Sequence, residues 1–530
     1  MTKLPVEDVW PLAPLQEGLL FHAAFDEHGP DVYAGHRVIE VTGPLDTGLM
    51  RTSWQALLDR HAVLRACFQH RRSGAPVQVV AHEVTLPWAE ADLSGLAAGA
   101  AAAEAARLAA EDRQRRFSLA TPPLVRLLLI RFARDRHHLV MSSHHALIDG
   151  WSAQILIREL AAVYAAGGDV AGLPPAASYR EYLAWLAGQD KAAAQAAWRA
   201  ELAGADEPTL VAPADPARLP VLTDRVTVEA TPQLSRSVRE LSRSWRVTLN
   251  TIMQGAWALL LSRLAGRDDV VFGATVAGRP ADLPGAESMV GLFINTLPVR
   301  VQLDAAQPVR DLLRQLQERQ SALIAHQHLG LAEIQRLAGP GAVFDSLVVF
   351  ENYPRPPAAA RSRRALHFRP AGGRDAAHYP VTFSAAPGAR LRLQLDYRPD
   401  LLTEPEMTAL LDRLVSMLEQ LVADPGLRTG QVEITAAGER ERLAGWHAAA
   451  PAAPAGSVLD LVAAQAAVTP EATAVSCGPD RLSYALLNAR AGQLASYLAS
   501  RGVARGDRVA VLLERSVDLP AVLLGVMRAG

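Results

Sequence analysis

Two cysteines, Cys67 and Cys477, are all that this chain of 530 residues carries. A disulfide framework and a metal site built from several thiolates are therefore excluded, and a reducing, cytoplasmic setting is expected. Lysine is equally rare: Lys3 and Lys191 are the only two among 53 basic residues, a skew towards arginine that carries no mechanistic weight. An excess of either charge is missing as well, the net charge being -2. Nothing in that balance favours a nucleic acid or another polyanion as partner. No uncharged apolar run approaches the roughly 20 residues that span a bilayer. The stretch from Met1 to Asp8 lacks the basic-then-apolar order of a secretion signal. Neither a membrane nor an export route is expected.

What the chain does have is apolar material, 50% of its residues, enough for several cores. Its length predicts two to four domains. Residues 1–175 mix short strands with helices. Leu49, Met50, Trp54, Leu57 and Leu58 recur at helical spacing ahead of Arg60-His61 and a strand at 66–68. Residues 98–115 are alanine-rich and predict a surface helix with a solvated charged face. A break at Gly172-Leu173-Pro174-Pro175 leads to helices carrying Tyr179, Tyr182, Trp185 and Trp198, aromatics that read as core or hinge packing. From Val226 the pattern predicts a second α/β lobe, with a helix at 248–264 and strands at 270–276, 296–301, 347–350 and 391–397. An Ala/Pro segment has the composition of a linker. The predicted divisions are thus 1–175, 176–445, a linker at 446–456, and 457–530. In the last part, residues 508–513 read as a buried strand.

The stretch Ser142-Ser143-His144-His145-Ala146-Leu147-Ile148-Asp149-Gly150-Trp151 carries the chemistry. Leu139, Val140 and Met141 precede it as an apolar run. Ile155, Leu156, Leu160 and Val163 follow at helical spacing behind Ser152, read as the N-cap. The motif is therefore expected on a strand-to-helix loop. Side chains alternate along a strand, so His144 and His145 should point opposite ways, and only one can face a cavity. Asp149 is close enough in sequence to act locally, and Gly150 permits a turn or a close backbone approach. A metal site shared by His144, His145 and Asp149 is disfavoured, since adjacent imidazoles diverge and no further ligands stand at a recognised spacing. A lone histidine is ordinarily a satisfied core residue. Cys67 lies in an apolar strand and reads as a small core residue, not a nucleophile.

Seven segments in order resemble the core motifs of condensation domains of non-ribosomal peptide synthetases. They are Trp10-Pro-Leu-Ala-Pro-Leu-Gln-Glu-Gly-Leu-Leu-Phe-His22, Arg60-His-Ala-Val-Leu-Arg-Ala-Cys-Phe68, the HHxxxDG motif from His144 to Gly150, Val276-Ala-Gly-Arg-Pro280, Met289-Val-Gly-Leu-Phe-Ile-Asn-Thr-Leu-Pro298, His326-Gln-His328 and Phe344-Asp-Ser-Leu-Val-Val-Phe-Glu-Asn-Tyr-Pro354. The first and last are most similar to the subclass joining a D-configured donor to an L-aminoacyl acceptor. Leu482 to Asn488 and Leu523 to Gly530 resemble the opening of an adenylation domain. The phosphate-binding loop, amino-acid pocket and catalytic lysine of that domain fall after Gly530, so no ATP-dependent activity is expected.

The resemblance implies an α/β fold, an α+β sandwich of two chloramphenicol acetyltransferase-like lobes in a V-shaped pseudo-dimer around a tunnel, followed by a truncated adenylation fragment. It implies amide bond formation between two thioesters. Donor and acceptor carrier proteins present them on 4'-phosphopantetheine, and the domain itself binds no cofactor. An epimerisation-type domain and a non-catalytic carrier-docking module are the alternatives. His145 takes the catalytic position, His144, Asp149, Gly150 and Arg65 support the motif, and Asp149 is expected to pair with Arg65. Trp151, Asn295, Asn352 and Tyr379 are candidate tunnel-lining residues. Gly278-Arg279-Pro280 and Gly291 read as backbone punctuation around a floor loop. An upstream synthetase subunit is expected to dock near residues 1–25.

Overall fold

The computed structural model describes residues 5–25, 29–215, 218–352, 366–374, 377–435, 437–448 and 456–530. Tyr353 and Pro354 of the last motif, Met1 to Leu4 and most of the 446–456 linker lie outside them. One compact unit extends to Ala437 and a second runs Gly438–Gly530. Among the described residues no helix is long and apolar enough to cross a membrane.

The first unit holds two large sheets. The first is five-stranded, in the order His367–Arg374, Ala34–Thr42, Arg136–His144, Val125–Ala133 and Trp88–Asp92, and only the last pairing is parallel. Alternation along Arg136–His144 decides what each face meets. Leu139 and Met141 turn towards the main core, shared with the helices Thr47–Arg60 and Gly150–Ala165, while Val140 turns to Ala101 and Ala105 of the alanine-rich helix. That helix, Ala98–Gln114, does more than the sequence suggested. Its methyl-sized side chains let it lie close over the outer face of the sheet, and its buried Asp112 accepts from Arg126 Nε at 2.8 Å. A small antiparallel sheet of Val6–Trp10, Pro76–Ala81 and Ala66–His70 flanks this lobe, with Cys67 fully buried in it.

The second sheet is six-stranded: Asn295–Gln302, Asp269–Val276, Ser346–Phe350, Val381–Ala386, Arg392–Tyr397 and Asp224–Glu229. Ser346–Phe350 runs parallel to both neighbours and the remaining pairs are antiparallel. The helix Leu249–Ala265 is apolar on every side and is buried from Thr251 to Ser262, as such a helix must be. Thr248 caps its start, and Gly266 ends it at φ 64, where a side chain would be strained.

The division at 175/176 does not separate the cores. Tyr179, Tyr182 and Leu183 bury themselves in the first-lobe core, and so do Met289, Val290, Leu292 and Phe293, far along the chain. The strand His367–Arg374 leaves the second lobe to pair with Ala34–Thr42. Periodicity shows that an element has an apolar face, not which core that face seeks. In the second unit, Val458–Val468, Tyr484–Ser500 and Asp518–Ala529 pack around Leu487, Ala491, Ala521 and Leu524, beside a hairpin of Thr473–Cys477 and Asp480–Ser483. The expected buried strand at 508–513 is not formed: Leu512 is 98% exposed and the run is irregular. A buried strand needs neighbours on its edges, and among the described residues the hairpin pairs only with itself.

One crossing point is sterically tight. A Cβ on Gly291 would stand 2.2 Å from Cδ2 of the Tyr179 ring, whose hydroxyl donates to Leu292 O at 2.5 Å. Gly291→Ala should therefore cost about 1–3 kcal/mol. Gly99→Ala, where a Cβ meets nothing within 4 Å, should be neutral or slightly stabilising. Urea melts of the two variants against the parent chain check both, and equal midpoints would contradict the close contact.

Candidate functional site

His144 ends the strand Arg136–His144, and His145 opens the turn that follows. His144 is wholly buried, whereas His145 is partly exposed and faces a cavity of about 3140 Å³ lined by elements of both lobes. His144 Nδ1 accepts from Ala146 N at 3.0 Å, so the proton of the neutral ring sits on Nε2, 3.6 Å from Asp31 Oδ2. Burial holds this imidazole down to about 4, against a weaker opposing pull from Asp31, so it is neutral near pH 7.

The turn is held by backbone hydrogen bonds on both sides of His145. His145 N donates to Tyr33 O at 2.9 Å and Leu147 N to His144 O at 3.0 Å. Ala146 O accepts from Gln16 Nε2 at 2.7 Å. Gln16 is fully buried and also reaches Gln78 Oε1 at 3.1 Å, while its own Oε1 accepts from Ala13 N at 2.7 Å. The first motif thus grips the histidine loop. Sequence reading missed this role of Gln16, whose only signal was an amide among apolar neighbours in a short helix.

Asp149, not Ser152, is the N-cap: the helix Gly150–Ala165 begins one residue after it, and its Oδ1 accepts from Ser152 N at 2.7 Å. Ser152 instead exchanges bonds with Gly291, donating from Oγ to its carbonyl at 2.7 Å and accepting from its N–H at 3.1 Å. Asp149 Oδ2 accepts from Phe293 N at 3.1 Å. The cation beside this carboxylate is Arg279, whose Nη2 lies 3.3 Å from Oδ1. The expected pairing with Arg65 is therefore corrected. Arg65 closes the turn Ala62–Arg65 under the small sheet, where its guanidinium meets Glu7 and the carbonyls of Ala81 and His82. The sequence around Arg279 suggests only loop punctuation. It also donates to Met289 O at 2.9 Å and Ser152 Oγ at 3.0 Å and lies 3.9 Å from the centre of the Phe293 ring, a cation–π distance. A buried carboxylate needs a cation, but a sequence does not say which one comes near.

The remaining candidates also border the cavity, as do Gly150 and His145. Trp151 donates its indole N–H to Glu287 O at 3.0 Å. Asn295 is buried and donates to Gln327 O and Leu329 O at 2.9 and 2.8 Å, tying down the His326-Gln-His328 turn. Asn352 is exposed, and Tyr379 is buried against Phe344 with ring centres 5.8 Å apart.

A model of the condensation domain matches residues 6–444, and one of the AMP-binding enzymes matches residues 462–530. The chain belongs to the condensation-domain family. One component of the linear gramicidin synthase of Brevibacillus parabrevis is 37% identical over 539 residues, covering 99% of this chain and 7% of that protein. Bacitracin synthase 3 of Bacillus licheniformis is 31% identical, with 99% of this chain and 8% of that protein covered. This chain thus spans under a tenth of the length of these two synthetases. Among solved structures, the first condensation domain of the calcium-dependent antibiotic synthetase, in complex with a substrate analogue, superimposes with a TM-score of 0.69 at 21% identity. That match covers 81% of this chain and 99% of the other. The X-domain from teicoplanin biosynthesis does so with a TM-score of 0.67 at 23% identity, over 80% and 97%. At such identities the likeness shows the two-lobed condensation-domain fold.

Two predictions come from this geometry. Asp149→Ala should cost about 3–5 kcal/mol, because it strands a buried cation. Combined with Arg279→Met it should cost clearly less than the sum, whereas combined with Arg65→Ala the losses should add. Denaturant melts of the single and double variants decide between the two partners. The second prediction concerns His144. Its pKa falls from an ordinary 6.5 to about 4 on folding, so the unfolded chain binds the extra proton. Its contribution is complete above pH 6.5 and is lost as pH falls towards 4, by at most about 3 kcal/mol. His144→Asn should flatten that part of the stability–pH curve, and an unchanged slope between these limits would contradict a neutral, buried ring.

Proposed function

We propose that this condensation domain forms an amide bond between an acceptor aminoacyl thioester and a donor acyl thioester. Each substrate is carried on the phosphopantetheine arm of a carrier protein. The acceptor amine attacks the donor carbonyl, the tetrahedral centre collapses, the C–S bond breaks, and the proton lost by nitrogen leaves with the thiol. No acyl-enzyme is required, because the donor arrives activated.

The observation that carries this reading is His145, on the wall of a cavity shared by both lobes. Single ligands occupy pockets of about 300–1,000 Å³. A volume of about 3140 Å³ suits two tethered substrates meeting. A positioned base contributes about 10² to 10⁴ in rate. The α-amine, with a reference pKa of about 7.7 to 8.0, costs only about 1 kcal/mol to free near pH 7. Orienting the two reactants supplies roughly 7–11 kcal/mol. Positioning is therefore the larger effect, with His145 bonding the amine and accepting its proton as the intermediate forms. The motif resemblance supports a D-configured donor, an upstream synthetase protein docking near residues 1–25, and an adenylation domain after the linker. The two cysteines, both free thiols, fit a cytoplasmic setting.

With loaded donor and acceptor carriers, the chain should yield the dipeptidyl thioester, read by mass spectrometry, and favour the D-donor. His145→Ala should slow this by at least about 10²-fold with an unchanged melting temperature. Turnover near that of the parent chain would refute a catalytic role, and no product from the parent chain would favour a docking module.

A further inference from the structure

Aromatic residues make up only 5% of the chain. Even so, one wall of the cavity is built from a continuous row of rings. Phe21, His22, Tyr33, Phe344, His378 and Tyr379 all line it. They come from the helix Pro14–Phe25, the loop before Ala34, and the approaches to two strands of the second sheet, so the row joins the lobes. Phe21 meets His22 edge-on at 5.6 Å, and His22 stacks on His378 with centres 4.0 Å apart and an interplanar angle of 26°. His378 lies 4.0 Å from Tyr379, which stacks on Phe344 at 5.8 Å. The Tyr33 hydroxyl bonds His378 Nδ1 from the side. Tyr33 also places the row beside the reaction, because its carbonyl holds His145 N at 2.9 Å.

Phe21 is exposed and His22 and His378 are half-buried, while Tyr33, Phe344 and Tyr379 are buried and back them, so the wall presents the first three rings on a rigid aromatic support with no ionised group of its own. Burial holds both imidazoles, His22 and His378, below the ordinary histidine range, and further charge on one is opposed by the other. Leu347, Val349 and Leu331 continue the lining with aliphatic surface. An aromatic or branched aliphatic side chain gains by stacking and burial here, while a carboxylate set against these rings would lose hydration with no hydrogen-bonding cation among them, the cavity's arginines, such as Arg37, Arg336 and Arg392, lying outside the row.

We infer that this row of rings is a recognition wall for an apolar side chain, aromatic or branched, on a residue undergoing condensation. The inference rests on the amide-forming reading above and adds a selection that the histidine motif does not provide. Either the donor or the acceptor residue can carry that side chain.

N-acetylcysteamine thioesters of Phe, Leu, Ala, Asp and Lys test it, varied first at the acceptor and then at the donor, with the full chain as catalyst. In one of the two series, kcat/KM for Phe and Leu should exceed that for Ala by about tenfold or more, with Asp lowest. His22→Ala should shrink the Phe-to-Ala ratio. So should Phe21→Ala, which alters a side chain 66% exposed and so leaves folding intact. Equal rates across both series, a preference for Asp or Lys, or a ratio unchanged in both variants would overturn the wall while leaving amide formation standing. Absence of product from every pair would instead overturn the amide-forming reading and the wall with it.

Discussion

The buried carboxylate of Asp149 is the constraint on which the rest depends. It caps one helix of the first lobe through Ser152 N and is otherwise satisfied by groups of the other half of the chain, the Phe293 amide and the Arg279 guanidinium. Neither oxygen can be released cheaply, because a charge in that interior has no water to fall back on. The loop that carries His145 and the floor loop from 289 to 293 are thereby locked to each other. Where the imidazole sits is a property of both lobes.

Around that lock, polar groups that look unrelated in sequence become one assembly. Gln16 holds Ala146 O, His144 holds Ala146 N, and Tyr33 holds His145 N. In the proposed reaction, a side chain carried on a turn bonded in this way has little backbone freedom left to lose, which is where an orientation-driven step gains most. The neutral state of His144 belongs to the same logic: a cationic ring there would have its Nδ1 as a donor and could no longer grip the Ala146 amide.

The strand–turn–helix setting of the histidines was legible because it needs only local information, an apolar run, helical spacing and the parity of a strand. Several helices and strands of the second lobe were legible for the same reason, Leu249–Ala265 and Asp269–Val276 among them. What could not be read was long-range. The resemblance pairs Asp149 with Arg65, and only the fold shows that Arg279 is the cation that comes near. An exposed-looking alanine helix proved to cover a sheet, since small side chains serve close approach as well as helix propensity. The run at 508–513 has the composition of a strand and lacks the neighbours that would make it one.

The exchange of segments between the lobes has a practical corollary for anyone recombining such domains. A strand of one half completes the sheet of the other through His367–Arg374, and the 289–293 loop is rooted in the opposite core. A splice between the lobes would cut the chain once but break two shared interfaces, each side losing surface that only its original counterpart was shaped to cover. Grafts that keep everything up to Ala437 together leave both interfaces whole.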